Sequence, residues 1–158
     1  MKIVKISNEF YNIIKFDKEA LDKDTRPYLL LLKLKYNCKY IDFVIPFRSN
    51  LKPSVKKYKD QYFPLPPNKA TKKGNIHAIH YLKMLPINKN YIERFFFSDD
   101  QEYFKFLLDY IHQNEKFIVQ KAQTYLYNYE SNKRYNYATD IDKILTVIEN
   151  QWGGLYER

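Results

Sequence analysis

Residues 28 to 47 read YLLLLKLKYNCKYIDFVIPF, two apolar runs separated by the short turn NCK, and this stretch restricts the fold more than any other. Both runs read as strands, and the turn folds them into an antiparallel hairpin. If 28–35 pairs with 39–46, residue 28 lies near residue 46. Arg26 and Arg48, just beyond the strands, then meet at one end of the hairpin. They are two of only five arginines beside 22 lysines, and a guanidinium fork suits bidentate contact with an anion better than an amine does. A surface ion pair from Arg26 to Asp22 or Asp24 would account for that arginine equally well.

The other elements can be placed around this hairpin. KIVKI at 2 to 6 is a short strand, and Ser7 or Asn8 caps a short helix through EFYNIIKF. A polar turn follows as far as Pro27. Prolines at 53, 64, 66 and 67 make 48–74 an extended, looped surface. Residues 75 to 87 form another strand, ended at Pro86, and NKNYIERFFF opens a helical part. From there the apolar period becomes 3.6: Tyr103, Phe104, Leu107, Leu108, Ile111, Ile118, Ala122, Tyr125 and Leu126 share a stripe. With Asp99 or Asp100 as N-cap, this is one long helix or two separated by a kink. Thr139 and Asp142 form a capping box for the last helix, which Gly153 and Gly154 end. Strands first and helices last predict an α+β fold: a compact, highly curved, barrel-like antiparallel sheet flanked by long C-terminal helices, all in one domain of residues 1–158.

Charge divides the chain. Residues 1–90 hold 19 basic and 7 acidic side chains, whereas 91–158 hold 8 and 11. From Arg48 to Lys89 ten basic residues accompany a single acid, Asp60. So one-sided a run repels itself unless a polyanion or solvent screens it. A nucleic-acid partner and a lysine-rich solvated surface from an A/T-biased genome stand level on composition. No apolar run is long enough to span a membrane and no leader is visible at the start, so a cytoplasmic protein is expected. The lone Cys38 supports neither a disulfide framework nor a CxxC metal site.

At 45 to 52 the sequence IPFRSNLK ends an apolar strand in a guanidinium, a hydroxyl, an amide and, soon after, an amine. Pro46 cannot donate to a ladder, so Arg48 and Ser49 are expected where the strand leaves the sheet, held rigidly yet open to a ligand. Arg48, Ser49 and Lys52 suit phosphate. Read as local structure, Ser49 and Asn50 are simply turn formers. Lysines interleaved with aromatics, Lys56, Lys57, Tyr58, Lys59, Lys72 and Lys73 around the loop and His77, His80 and Tyr81 in the next strand, match the pairing of amines on phosphates with rings on bases. His77 and His80 lie three apart on a strand and so face opposite ways, which argues against a shared metal. One of them remains a proton donor or acceptor candidate. P-loop, nucleophile-elbow and HExxH motifs are absent.

TRPYLLLL, IPFRSNLK and HYLKMLPI, in this order and followed by helices, resemble the toxins of type III toxin–antitoxin systems, the ToxN/AbiQ, CptN and TenpN group, and most of all the CptN and TenpN side. The resemblance implies a CcdB/MazF-like toxin fold and a metal-independent endoribonuclease without cofactor, acting in phage defence. It also implies an RNA antitoxin of tandem, pseudoknot-like repeats, which the toxin cleaves into units that stay bound in a closed protein–RNA assembly. Carried over by position, the family serine falls on Ser49 and the basic residue before the hairpin on Arg26. The N-terminal tyrosine corresponds to Tyr11. The lysine two places after the serine is replaced by Leu51, with Lys52 one place later.

RNA can be cut without a metal by its own 2′-OH, provided the attack is aligned, the phosphorane charge stabilised and the leaving 5′-oxygen protonated. The expected catalytic set is therefore Ser49, Arg48 and Arg26, with Lys52 or Lys83 as proton donor or electrostatic aid. Tyr11, Tyr28, Asn50, the four loop lysines after Ser54 and before Gly74 named above with Lys59, and the ring-bearing residues Tyr58, His77, His80 and Tyr81 are the expected RNA contacts. A non-catalytic RNA- or DNA-binding regulator is the alternative reading of the same basic stretch.

Overall fold

The run Leu29 to Leu31 lacks polar alternation because the strand it forms is covered on both faces. Along it, Leu29 and Leu31 belong to one core and Tyr28 to another; in the next strand Phe43, Ile45 and Phe47 face the first core and Val44 the second. Alternate side chains of an extended chain point to opposite faces, so a sheet sandwiched between helices needs apolar residues at every position. The computed structural model describes residues 1–22, 25–96 and 100–156, with side chains to residue 150.

The strands are β1 (Lys2–Ile6), β2 (Tyr28–Tyr36), β3 (Lys39–Leu51), β4 (Tyr62–Leu65), β5 (Ile76–His80), β6 (Leu85–Pro86) and β7 (Ile92–Arg94). The helices are α1 (Asn8–Ile14), α2 (Gln101–Gln113), α3 (Glu115–Glu130) and α4 (Ile141–Tyr156). All pairings are antiparallel, in the order β4-β5-β3-β2-β1-β7, with β6 also on β3. The α+β class and the hairpin register hold: Tyr28 lies opposite Pro46 and Tyr36 opposite Lys39. The sheet, expected to be barrel-like, is not closed: among the described residues β4 and β7 are edges that do not pair with each other. Apolar residues of α2 and α3 fill the first core, and those of α1 with Ile144 and Ile148 of α4 fill the second.

Other expectations are corrected by longer-range contacts. YFPL, read as loop, is β4, and its Pro64 stands opposite Ala78 on the outermost strand, where a missing donor costs least. Residues 75–87 are two strands separated by a 3₁₀ turn, Tyr81–Lys83. NKNYIERFFF opens no helix; a 3₁₀ turn at Lys89–Tyr91 leads into β7, which pairs with β1. Of the two alternatives for the C-terminal stripe, the second holds: it forms two helices, α2 and α3, that meet at Asn114. Asp100 precedes α2 in a left-handed conformation and makes no side-chain cap, and Asp99, the other cap candidate, lies outside the described residues. Thr139 does not cap α4: its buried hydroxyl donates to the Met84 carbonyl at 2.6 Å, and the Asp140 carboxylate accepts from the Lys143 N–H instead. The helix then continues through Gly153 and Gly154 to Tyr156.

Candidate functional site

The distal end of β3 positions the site. Its ladder with β2 stops at Pro46, but the strand does not leave the sheet there. It changes partner, and Phe47 and Arg48 pair with Ile79 and Ala78 of β5. The next paired residue is Leu51, opposite Ile76, so Ser49 and Asn50 together oppose the single residue His77. This is a β-bulge, which bends the strand and re-aims its side chains.

Alternation sends Phe47 and Ser49 to one side and Arg48 to the other. On the first side, Ser49, Arg26, Asn68, His77, Tyr103 and Leu107 help line a cavity of about 340 Å³ beneath α2. The Ser49 hydroxyl accepts from the Asn68 side-chain amide at 2.9 Å, which leaves its own proton to donate. Asn68 is itself fixed, its carbonyl oxygen accepting from Ala70 N–H and Thr71 O–H at 2.9 Å each. Arg26 donates through Nη1 to the Phe47 carbonyl at 2.9 Å, while its buried Nε has no partner among the described residues. His77 Nδ1 lies 2.7 Å from the Pro66 carbonyl, an acceptor, so this nitrogen carries the proton and Nε2 keeps its lone pair. Tyr103 donates to the same carbonyl at 2.6 Å. Burial holds the His77 pKa below the ordinary imidazole value despite the favourable Pro66 contact, so the ring is neutral near pH 7.

On the second side, Arg48, Lys52, Lys57, Tyr58, Gln61, His80, Lys83 and Tyr137 help line a cleft of about 540 Å³. Arg48 Nη1 stands 3.5 Å from His80 Nδ1. A guanidinium only donates, so Nδ1 accepts and Nε2 carries the hydrogen; that Nε2 is buried without a partner among the described residues. Burial, Arg48 and Lys83 together pull the His80 pKa down to about 3. Burial lowers the Arg48 pKa as well, and nearby Arg26 adds to the effect; thus the two arginines meet at this end of the hairpin while serving opposite sides of β3. Lys83 is buried and committed, donating to Glu19 at 2.9 Å and to the Tyr137 carbonyl at 2.7 Å. Lys52 is exposed.

The remaining sequence-selected residues divide by exposure. Lys56, Lys57, Lys59, Lys72 and Lys73 are exposed, and Lys57 sits 5.1 Å over the Tyr58 ring. Asn50 works within the protein: its side chain accepts from Lys72 N–H at 2.7 Å and donates to the Ala70 carbonyl at 2.8 Å, clamping the 68–75 loop to β3. Tyr81 is wholly buried and bonded to the Ile118 carbonyl, which leaves no ring face for a base. Tyr28 is equally covered and lies 3.2 Å, oxygen to oxygen, from Tyr11 in the second core. His77 and His80 face opposite sides. Sequence reasoning missed Asn68, Gln61, Tyr137 and the tertiary use of Tyr103; the turn signal in PPNKAT was the only local hint of Asn68.

No protein-family model and no curated protein sequence matches this chain. Solved structures do match over its length. AbiQ, a lactococcal anti-phage endoribonuclease belonging to the type III toxin–antitoxin system, superposes with a TM-score of 0.73 at 14% identity, covering 99% of this chain and 98% of its own. The fold is shared with AbiQ. A second match, from work on a processed non-coding RNA that regulates a bacterial antiviral system, has a TM-score of 0.72 at 16% identity over 94% of this chain and 98% of the other. A third, from a study of selective toxin inhibition by a non-coding RNA pseudoknot in bacterial type III toxin–antitoxin systems, has a TM-score of 0.59 at 16% identity over 99% and 98%. Identities this low establish architecture.

Proposed function

We propose that this chain is the endoribonuclease toxin of a type III toxin–antitoxin system, cutting RNA without a metal and held inactive by a repeat RNA that it also processes. The observation that carries this reading is the end-to-end likeness to AbiQ. The cavity beside Ser49 supplies compatible chemistry. Ser49 donates to a non-bridging oxygen of the scissile phosphate, and Arg26 Nε–H, now without an acceptor, meets the charge that grows on the phosphorane. His77, neutral and anchored through Nδ1, takes the 2′-OH proton at Nε2. The 2′-oxygen bonds to phosphorus and the P–O5′ bond breaks. The products are a 2′,3′-cyclic phosphate and a 5′-alcohol, whose proton comes from water, since Lys52 lies in the cleft on the other side of β3. Ser49 has an amide donor rather than a base against it, so a covalent serine intermediate is not part of the scheme. Arg48 and the buried Lys83 act through charge from the far side of the strand.

The test is incubation of the purified protein with A-rich single-stranded RNA in EDTA, followed by analysis of product ends. Cyclic phosphate ends support the reading. Intact RNA at high protein excess, with binding retained, selects the non-catalytic RNA-binding regulator instead. A matching DNA strand should stay whole, because it lacks the attacking hydroxyl.

A further inference from the structure

The cleft on the Arg48 side contains features that the cleavage chemistry leaves unexplained. His80 is 3% exposed, and its Nε2–H has no acceptor among the described residues. Leaving a buried donor unsatisfied is costly, so a retained one commonly marks a place where a ligand supplies the missing atom. The tautomer is fixed by Arg48, which forces Nδ1 to accept. The surroundings say what kind of acceptor fits. Arg48, Lys52, Lys57 and Lys83 line the cleft, no acid lines it among the described residues, and Lys83 is paired with Glu19. Asp60, the one acid of this stretch, is engaged by the Tyr135 hydroxyl. Tyr58 and Tyr137 add partly exposed rings to the wall, the second 43% exposed.

We propose that this cleft is a second phosphate site, in which an RNA nucleotide adjoining the scissile one places a phosphate oxygen on His80 Nε2–H and Arg48 and stacks its base on Tyr58 or Tyr137. The RNA thus crosses β3 at the bulge, with the scissile phosphate on the Ser49 side and its neighbour on the Arg48 side. The proposal rests on the RNase reading for its choice of RNA, but not for the existence of an anion site.

The test uses full-length Ser49→Ala protein, so that RNA survives, with ¹⁵N-labelled histidine. The chain has three histidines, and the His80 imidazole signal is assigned by its loss in His80→Phe. Titration with 5′-AMP and, separately, with an A-rich RNA hexamer should shift the His80 Nε2–H resonance. The hexamer should saturate at a concentration at least about tenfold lower, because additional phosphates engage the neighbouring lysines. His80→Phe should weaken hexamer binding about tenfold, and His80→Gln, which retains an N–H donor, should recover part of it. A His80 signal unmoved by both probes overturns the site. A shift with 5′-AMP that the hexamer does not reproduce overturns the assignment to RNA. The cleavage assay on the unmodified protein fails independently: intact RNA with a shifted His80 defeats the RNase reading and leaves the site, whereas cut RNA with a silent His80 does the reverse.

Discussion

The two cavities at the end of β3 share a strand and differ in the charge of their lining. The one beneath α2 is partly apolar, with Phe47, Tyr103, Phe104 and Leu107 in its wall, and its polar groups are held by partners: Ser49 by Asn68, His77 by Pro66, Arg26 by Phe47. The other is lined by four cations and two tyrosines. Each nevertheless retains one buried donor without a partner among the described residues, Arg26 Nε in the first and His80 Nε2 in the second. A fixed, partly dry pocket is suited to steering a reaction, and an open cationic cleft to gathering a polyanion. One strand presents both because successive residues, Arg48 and Ser49, point opposite ways.

If that division of labour is right, mutations on the two sides should separate rate from affinity. Ser49→Ala should lower single-turnover cleavage by roughly 10²–10³-fold, as loss of one oriented donor does, while RNA binding measured by anisotropy stays within a fewfold. Arg48→Gln should do the opposite, weakening binding about tenfold and reducing the salt slope by about one, with a smaller change in rate at saturating RNA. An Arg48→Gln protein with unchanged affinity would erase the contrast.

Acid should act on the second cavity. His80 has a folded pKa of about 3 against an ordinary value of 6.5, so the unfolded chain binds the extra proton between those limits. Its contribution is therefore complete above about pH 6.5 and is lost as pH falls towards 3. Between pH 7 and 5 urea unfolding should lose about 2 kcal/mol from this group, and the His80→Phe protein should show a visibly flatter profile. His77, lowered in the same direction, adds to the slope.

The smallest effect belongs to the clamp between them. Asn50→Ala removes the side chain that holds Lys72 N–H and the Ala70 carbonyl. We expect a loss of about 1 kcal/mol in stability and faster amide exchange across 68–75. An exchange pattern unchanged in that loop would show that Asn68 and Thr71 suffice to hold it.

What could be read from the sequence follows the range of the interactions. The β2–β3 register was legible because both strands and their turn are contiguous, and with it came the meeting of Arg26 and Arg48 at one end. Sheet closure was not, since it depends on whether β4 meets β7, about thirty residues apart and both short. Thr139 carried a correct local capping signal, but the Met84 carbonyl, distant in sequence, takes its hydroxyl. Ser49 was visible as a hydroxyl at a strand end; its orientation by Asn68, and the anchoring of His77 by Pro66 beside Tyr103, arise only when the proline-rich loop and α2 close over β5. The alternation rule placed His77 and His80 correctly on opposite sides, yet failed two residues beyond Ser49, where the bulge intervenes.

That bulge makes chain length, more than side-chain identity, the variable that decides which groups act together. Because two residues of β3 oppose one of β5, position 51 lies on Arg48's side, where Leu51 packs with Tyr62 and Ala78. In a regular strand it would share a side with Ser49. Loss of a single residue there would remove the bulge and make Lys52 the second residue after the serine, on the serine's side of a regular strand, while Leu51, still opposite Ile76, would keep Arg48's side. A one-codon deletion at 49–50 would thus change which residue stands two places after the serine on the serine's own side, a step that no series of single substitutions along this strand reproduces.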